Sequence, residues 1–462
     1  MTTHNGTLFW AGAFLFLGIS FASFNLSFAA LFLSAAVLSG RLISREKSGW
    51  WIVLAFLACI GFFYYHAFAV FNERRELLPM GGSFTVHVSG ESVILDKSQI
   101  VPFELDQPYR GRIKVFTTPV AGFSYGESVK VSGKVQNNIW PEDNVVIFPQ
   151  IEKLDEPRKS VRAIIIGFKE GWLHSFRKLL SANEAALLGG LTFGARGDFT
   201  SDFKEVMKRS GTTHLIALSG YNISILIWAV ERMLRSRFSR RAFFVFAIFL
   251  VALFVIMVGG GSSVTRAAIM GILVLLAKES GRFYSFWNAA LFAALGMSLF
   301  NPSLPGGDIG FQLSFLSLLG IVFLEPLFKK WFGVRKQHSS FYWRESLGTT
   351  LAAQAGVFPI LAIQFGVFSL TSVAANVLIL WIVPSIMALG FLTAGLSMVH
   401  FSLAFLLQPF LHLTLTYMIS VMNMAALLPL IALPQNIFLG VVYYGLLLWL
   451  ILRNTSYEKT TS

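Results

Sequence analysis

Long apolar stretches separated by short clusters of arginine and lysine make up most of this chain. About 20 consecutive apolar residues cross a bilayer as a helix, so each stretch predicts a transmembrane span. Residues 7–40 are too long for one span and have polar residues near their middle, which predicts a helical hairpin. Another span runs from about Trp50 to Phe71. Later spans are predicted near residues 212–230, 242–258, 264–278, 283–300, 311–328, 346–367, 372–398, 404–429 and 436–453.

Between these apolar regions, residues 72–156 alternate polar and apolar side chains with a period of two, in segments such as SFTVHVSG and ESVKVSGKV. Short strands punctuated by glycine predict a small antiparallel barrel or sandwich. Residues 158–182 instead place Phe168, Trp172 and Phe176 at helical spacing, which predicts an amphipathic helix lying on the membrane surface.

Loop charges predict the orientation of the spans. The basic loops are expected to be cytoplasmic; they are residues 41–49, 231–241 and 329–345. The intervening loops hold only Asp308 as a charged residue; they are residues 259–263, 301–310, 368–371 and 431–435. Both termini are therefore predicted inside and residues 80–156 outside.

Composition agrees with a membrane protein, since 55% of residues are hydrophobic and 13% are charged. The single cysteine, Cys59, excludes an intrachain disulfide and a cysteine-based zinc site. The formal net charge is +13. Residues 72–211 contain 19 Lys+Arg and 17 Asp+Glu, whereas the rest of the chain contains 18 and 7. The net charge thus reflects the basic loops that orient the membrane spans, and it is weak evidence for nucleic-acid binding.

Four stretches differ from ordinary lipid-facing helices: residues 191–226, 259–282, 301–321 and 351–379. They contain the motifs HLIALSGYNIS, GGGSSVTRAA, GFQLSF and FSLTSVAAN. In this order and spacing they closely resemble the competence domain of the ComEC family, channels that carry single-stranded DNA across the bacterial inner membrane. The resemblance covers roughly residues 185–395. The segment YGESVKVSGKV is similar to the same family's N-terminal OB-type domain.

The resemblance implies a polytopic α-helical membrane protein of about 11–12 transmembrane helices, with an inserted small β-barrel of OB type outside the cytoplasm. The expected domains are N-terminal transmembrane helices (1–71), the OB-type domain (72–156), interfacial helices (157–210), the channel domain (211–453) and a cytoplasmic tail (454–462). The expected function is translocation of single-stranded DNA through the inner membrane during natural transformation.

Polar side chains inside apolar spans are candidates for the DNA path, because such groups are expensive in lipid. The candidates are His214, Ser219, Asn222, Arg266, Gln312, Ser314, Gln354 and Asn376. His214 and Asn222 are expected to share one face of a helix over 212–230. Single polar residues in membrane helices more often bond neighbouring helices, and that alternative stays open for each of them.

The OB-type domain offers its own candidates for DNA contact, namely Arg110, Arg112, Lys114, Lys130 and Lys134. Barrels of this type bind single strands with a basic groove and stacking aromatics. Alternating basic residues are also what the solvated face of an ordinary strand carries.

Members of the family often end in a metallo-β-lactamase-type nuclease domain. Here the sequence ends nine residues after the last predicted span, and its eight histidines form no H-x-H pair. We therefore expect a non-enzymatic form without metal or cofactor. Expected partners are single-stranded DNA, membrane lipid, a DNA receptor, a cytoplasmic ATPase or helicase, a separate nuclease and a second copy of the chain.

Two other functions remain open. A transporter of another polymer or of lipid would need a separate energy source, because the chain has no Walker motif. An intramembrane serine hydrolase is suggested by Ala217-Leu218-Ser219-Gly220. That hypothesis needs a base close to Ser219, and His214 could not reach it along a regular helix.

Overall fold

The computed structural model describes residues 4–28, 30–31, 34, 50–75, 79, 81–90, 92–94, 98–118, 122–123, 125–140, 143–154, 160–195, 197, 199–216, 220–234, 237–331 and 343–460. The chain divides into two compact units. The first unit contains residues 1–171 and 219–309, and the second contains residues 172–218 and 310–462.

The helices, in chain order, are α1 (His4–Ser23), α2 (Trp50–Arg75), α3 (Val161–Leu179), α4 (Ala182–Phe193), α5 (Ser201–Arg209), α6 (Gly220–Leu234), α7 (Arg240–Met257), α8 (Ser262–Ser280), α9 (Phe286–Phe300), α10 (Leu304–Gly307), α11 (Ile309–Trp331), α12 (Trp343–Phe365), α13 (Ser372–Leu380), α14 (Val383–Val399), α15 (Phe401–Ala404), α16 (Gln408–Ala425) and α17 (Ile437–Thr460). A 3-10 helix, Thr213–Leu215, lies between α5 and α6.

The polar middle of the chain forms a mixed sheet. Its strands are β1 (Ser83–Val88), β2 (Val93–Ile94), β3 (Gln99–Leu105), β4 (Arg112–Thr117), β5 (Ser128–Ser132), β6 (Gln136–Trp140), β7 (Asp143–Ile147) and β8 (Gln150–Lys153). The order is β6-β7-β4-β3-β1-β5-β8, with β2 on β3. Among the strand pairs in the described part of this region, β4–β7 alone is parallel.

Alternate residues of these strands point into one apolar core, as the period of two predicts. Val86, Val101, Phe103, Val115 and Val131 are all essentially inaccessible there. Strand pairing among the described residues runs along an open path from β6 to β8. The predicted strands are present, but they form a mixed sheet because β4 and β7 pair in parallel. The domain bounds 72–156 and closure into an OB barrel stay predictions.

Several helices are long and apolar enough to cross a membrane, which confirms the coarse prediction of a helical membrane protein. Within the described residues, four single helices qualify: Val53–Asn72, Arg240–Met257, Ile309–Trp331 and Ser346–Phe365. The bent pair α13 and α14 makes a fifth if it forms one span, and three shorter apolar helices accompany them. Helix α8 is at least as long as the shortest of these four helices. It is not counted among them because it contains three charged residues, Arg266, Lys278 and Glu279. The total of 11–12 spans stays a prediction.

Two of the predicted spans contain breaks. The span over 212–230 contains the 3-10 helix Thr213–Leu215, and α6 is described from Gly220 onward. The span over 372–398 is bent by 53° between α13 and α14. Pro384 explains this bend, because it has no N–H and its ring would clash with the carbonyl of Leu380, where α13 ends.

Glycines allow close helix packing in both units. A β-carbon on Gly18 would overlap the carbonyl of Ala58, where α1 meets α2. In the second unit, a β-carbon on Gly320 would lie 2.5 Å from the carbonyl of Ala352 and 3.1 Å from Gly356. Small residues at such crossings bring helix backbones together, which is how membrane helices gain packing energy.

Helix α4 is anchored to α16 through Glu184, which is 4% exposed. The backbone N–H and hydroxyl of Ser181 donate to its carboxylate at 3.1 and 2.8 Å, and Thr416 donates at 3.0 Å. His412 Nδ1 lies 2.7 Å from the same carboxylate. Burial alone would raise the pKa of Glu184, but these hydrogen bonds and His412 hold it below its usual value.

Contacts between loops follow the predicted sides of the membrane. Ser262 donates to Asp308, Val367–Phe368 (β9) pairs with Ile431–Ala432 (β10), and Lys278 binds Glu231. The first two contacts join segments predicted outside, and the third joins segments predicted inside. In each contact, both segments are predicted on the same side of the membrane. The contacts are therefore compatible with the sides that the loop charges predict.

Candidate functional site

The predicted path residues fall in both units. Asn222 and Arg266 belong to the first unit, whereas His214, Gln312, Ser314, Gln354 and Asn376 belong to the second. Ser219 lies outside the described residues. The expectation that His214 and Asn222 share a helical face is wrong, because His214 lies in the 3-10 helix and not in α6.

Close packing of α6 on α8 positions Arg266 in the first unit. The Arg266 Nη2 atom lies 3.5 Å from the position that a β-carbon would take on Gly220, and the β-carbon of Ala267 lies 3.4 Å from it. Because Gly220 and Ala267 are small, the two helices approach closely and enclose the guanidinium, and Arg266 is 8% exposed. Asn222, two residues along α6, is 3% exposed.

The glycine-rich break before α8 is an ordered turn. Gly259 and Gly260 have φ angles of 85° and 64°, which residues with a β-carbon rarely adopt. Thr265 Oγ1 donates to the carbonyl of Gly260 at 2.9 Å, and Ser262 Oγ donates to Asp308 Oδ2 at 2.6 Å. The Asp308 carboxylate therefore lies near the N-terminus of α8, where the helix dipole favours negative charge.

The second glycine-rich motif, PGGDIG, is a packing element. The backbone N–H of Gly306 donates to Ser23 Oγ at 2.8 Å, and Ser23 Oγ donates to the carbonyl of Ser303 at 3.1 Å. A β-carbon on Gly306 would overlap the carbonyl of Ser23. The motif thus attaches α10 to the end of α1.

A network of hydroxyl groups, here called the hydroxyl cluster, joins the end of α5 to the start of α13 in the second unit. It consists of Ser210, Thr212, Ser369, Thr371 and Ser372. Ser369 Oγ donates to the carbonyl of Arg209 at 2.6 Å, and Ser372 Oγ donates to the carbonyl of Ser369 at 2.8 Å. Ser210 Oγ and Thr212 Oγ1 are 2.8 Å apart and fully buried.

Gly211 lies at the centre of this cluster and fits only as glycine. Its φ angle is 69°, and a β-carbon there would overlap that of Ser372. His214 follows on the 3-10 helix and its Nδ1 atom donates to the carbonyl of Gly211 at 3.0 Å. The cluster therefore fixes the position of His214, one of the predicted path residues.

Two other predicted path residues extend the cluster along α13. Gln354 Nε2 donates to Ser372 Oγ at 2.9 Å. Asn376 lies one turn beyond Ser372 and is 3% exposed. Within the described part of the chain, Asn376 Oδ1 and Ser314 Oγ are buried atoms without a hydrogen-bond partner. Leaving such an atom unsatisfied costs roughly 1–3 kcal/mol, so each needs an explanation.

The hydroxyl cluster itself is not among the residues predicted from the sequence. Residues 368–371 are predicted as a short outer loop, and every predicted path residue was chosen for lying in an apolar span. The sequence did contain a feature that could have indicated the cluster, since Ser369, Thr371 and Ser372 lie together in the motif FSLTSVAAN. Chemically, the cluster offers neutral hydrogen-bonding groups. Among the described residues, no three His, Cys, Asp or Glu side chains lie close enough to hold a metal ion.

The basic residues predicted to bind DNA in the β domain alternate with acidic ones. Arg112 lies opposite Glu104 on β3, and Lys130 lies opposite Glu152 on β8. Residues 83–153 contain seven Lys+Arg and eight Asp+Glu. Arg110, Arg112, Lys130 and Lys134 are exposed, and Lys114 is half-buried. DNA contact by these five residues stays a prediction.

Comparison with known proteins identifies the family. The model of the family described as "Competence protein" matches residues 191–456, which is more than half of the chain. ComE operon protein 3 of Bacillus subtilis (strain 168) is 26% identical over 234 residues, covering 49% of this chain and 28% of that protein. The match thus spans less than a third of that relative's length, and no solved structure matches the chain. The matched region contains both the hydroxyl cluster and Arg266. Because the family model matches more than half of the chain, the chain belongs to the competence protein family.

Proposed function

We propose that this protein is an inner-membrane channel subunit through which single-stranded DNA enters the cytoplasm during natural transformation. The observation that carries the proposal is the family match over residues 191–456, which includes all the predicted path residues. The β domain is proposed to lie outside the cytoplasm, with both termini inside, as the positive-inside rule predicts.

Buried polar atoms support a path for a polar substrate. Asn376 Oδ1 and Ser314 Oγ have no hydrogen-bond partner within the described residues, although both are predicted path residues. Non-helical backbone and polar groups at membrane depth are tolerated where they face protein or water. If these helices separate to admit a hydrated strand, both buried atoms gain hydrogen-bond partners.

In the first unit, Arg266 offers a positive charge suited to phosphate. Its guanidinium is held by the close approach of α6 and α8. A planar guanidinium can bind two phosphate oxygens at once, which an ammonium group cannot do. We assign Arg266 the contact with passing phosphates near the outer entrance.

The proposed partners follow from the same function. They are single-stranded DNA, membrane lipid, a DNA receptor, a cytoplasmic ATPase or helicase, a nuclease on a separate polypeptide and a second copy of this chain.

Deletion of the gene followed by transformation with labelled double-stranded DNA tests the proposal. The expected result is DNA that reaches the outer face of the inner membrane but does not enter the cytoplasm. Complementation with the wild type, and with a Ser317→Ala variant, should restore entry. Ser317 is a suitable control because its hydroxyl donates to the carbonyl of Ser314 in its own helix. Normal cytoplasmic entry in the deletion strain would refute the proposal.

A further inference from the structure

A small cavity lies in the first unit where α6, α7 and α8 meet at their charged ends. Its volume is about 150 Å³. Four charged side chains (Glu231, Arg240, Lys278, Glu279) and four apolar ones (Phe238, Phe243, Phe244, Leu275) line it. Ligand pockets for drug-sized molecules are about 300–1,000 Å³, so this cavity fits a smaller group.

The cavity lies at the level where these helices change from apolar to charged. Helix α7 begins with Arg240 and Arg241 and is then apolar up to Met257. Helix α8 ends with Lys278 and Glu279 after an apolar run. Charged residues at the ends of spans lie among the lipid headgroups. The cavity is therefore at headgroup depth.

The charges of the cavity are of both signs, and only some of them are paired. Lys278 Nζ donates to both carboxylate oxygens of Glu231, at 3.1 and 3.0 Å. Among the described residues, the side chains of Arg240 and Glu279 form no ion pair or hydrogen bond. A cation and an anion thus line the same small cavity, available to a ligand that has a charge of each sign.

Apolar side chains complete the lining. Phe243 and Leu275 are buried, at 8% and 4% exposure, and form one apolar cluster with Phe244 packed against it. Phe238 stacks on Phe246 at 5.5 Å. On α7, Val245 and Phe249 are 65% and 59% exposed, as expected of side chains that face acyl chains.

We propose that this cavity binds the headgroup of a zwitterionic aminophospholipid, such as phosphatidylethanolamine. Arg240 binds the phosphate, and Glu279 accepts hydrogen bonds from the primary ammonium group. The apolar lining contacts the start of the acyl chains. A purely anionic headgroup would leave Glu279 beside a negative charge, and a quaternary ammonium group has no N–H to donate.

Native mass spectrometry of the purified full-length protein tests the assignment. Phosphatidylethanolamine, phosphatidylglycerol and phosphatidylcholine with the same acyl chains are added at equal concentration. We expect the first to be retained about tenfold more tightly than the other two, the difference that one charge-assisted hydrogen bond makes. Equal retention of phosphatidylglycerol, or of phosphatidylcholine, would overturn the proposal without any mutation.

Matched variants then locate the site. Glu279→Gln and Arg240→Gln should each weaken retention of phosphatidylethanolamine about tenfold, whereas Arg241→Gln should not, because Arg241 does not line the cavity. An equal loss in Arg241→Gln would show that charge alone attracts lipid. If soluble phosphoethanolamine raised the melting temperature as much as the lipid does, the ligand would be a free metabolite and the lipid assignment would be wrong.

Discussion

The β domain and the membrane helices of this protein both carry polar groups at regular spacing, but the groups differ in what they reveal. On the sheet, Arg112 faces Glu104 and Lys130 faces Glu152, in a surface of mixed charge. Among the helices, Arg266, Asn376 and the hydroxyl cluster are buried. A charge on a wet surface costs little, whereas a polar group at membrane depth needs a partner. A buried polar residue therefore indicates a structural or functional role in this protein, whereas the spacing of polar residues alone does not.

The largest effect is expected at Gly211, where the cluster leaves no room for a side chain. Gly211→Ala would place a β-carbon on a residue with φ of 69° and against Ser372. A strained residue of this kind costs of order 1–3 kcal/mol before the overlap is counted. We expect protein abundance and DNA entry to fall together, as measured by immunoblot and transformation frequency.

Gly395→Ala is the matched control for Gly211→Ala. Gly395 lies inside α14, and nothing lies within 4 Å of its β-carbon position. Alanine is the better helix former, so this variant should match the wild type in abundance. Equal behaviour of the two variants would show that the hydroxyl cluster does not constrain the fold.

The next largest effect is expected at Arg266, and it distinguishes contact with phosphate from a structural role of this side chain. If the guanidinium contacts phosphate, DNA entry should fall in the order Arg, Lys, Gln at constant protein level. We expect Arg266→Gln to lower DNA entry about tenfold to a hundredfold, since hydrogen bonds to charged groups are worth roughly 1.5–3 kcal/mol. Transformation frequency and membrane abundance are measured on the same cultures.

Two outcomes would contradict this role for Arg266. A structural ion pair, for instance with Asp308, predicts instead that Arg266→Gln lowers protein abundance. Unchanged DNA entry in a well-expressed Arg266→Gln variant would eliminate phosphate contact altogether.

A smaller effect is expected where Gln354 binds Ser372. Gln354→Leu and Ser372→Ala, alone and combined, form a double-mutant cycle on stability in detergent. Hydrogen bonds between membrane helices average about 0.6 kcal/mol in such cycles, and we expect a coupling of that size. Gln354→Leu combined with Ser397→Ala is the control, because Ser397 bonds only the carbonyl of Ala394 in its own helix. A coupling as large in the control pair would contradict the assignment.

The smallest effects are expected on the sheet. Single glutamine substitutions at Lys130 or Lys134 should lower the affinity of full-length protein for a single-stranded oligonucleotide only a few-fold. Each substitution of a lysine that binds phosphate should reduce the salt dependence of affinity by about 0.7 in log–log slope. Lys153→Gln is the control, because Lys153 pairs with Glu127 at 2.8 Å. An unchanged slope after all five basic substitutions would show that this face does not bind DNA.

Particular residues show why the spans were predictable and the site was not. Apolar runs such as 242–258 reappear as α7, because burial of apolar side chains in lipid depends on the local sequence alone. The prediction of a continuous helix over 212–230 was wrong. The conformation of Gly211 and the 3-10 helix after it depend on packing against Ser369 and Ser372, which lie far away in the chain. Likewise, Pro384 indicates a break in the sequence, but only the structure gives its angle of 53° between α13 and α14.

By itself, the sequence determined the membrane character of the chain, the strands of the polar middle region and the family to which it belongs. The first two depend on composition or on spacing within one segment, and the family depends on the order and spacing of several motifs along the chain. The tertiary structure alone decided that Gly306 attaches to Ser23, that Arg266 lies against Gly220, and that hydroxyl groups join α5 to α13. These contacts join residues up to 283 positions apart. No local pattern encodes such partners, because a buried polar atom is satisfied by whichever segment the fold brings to it.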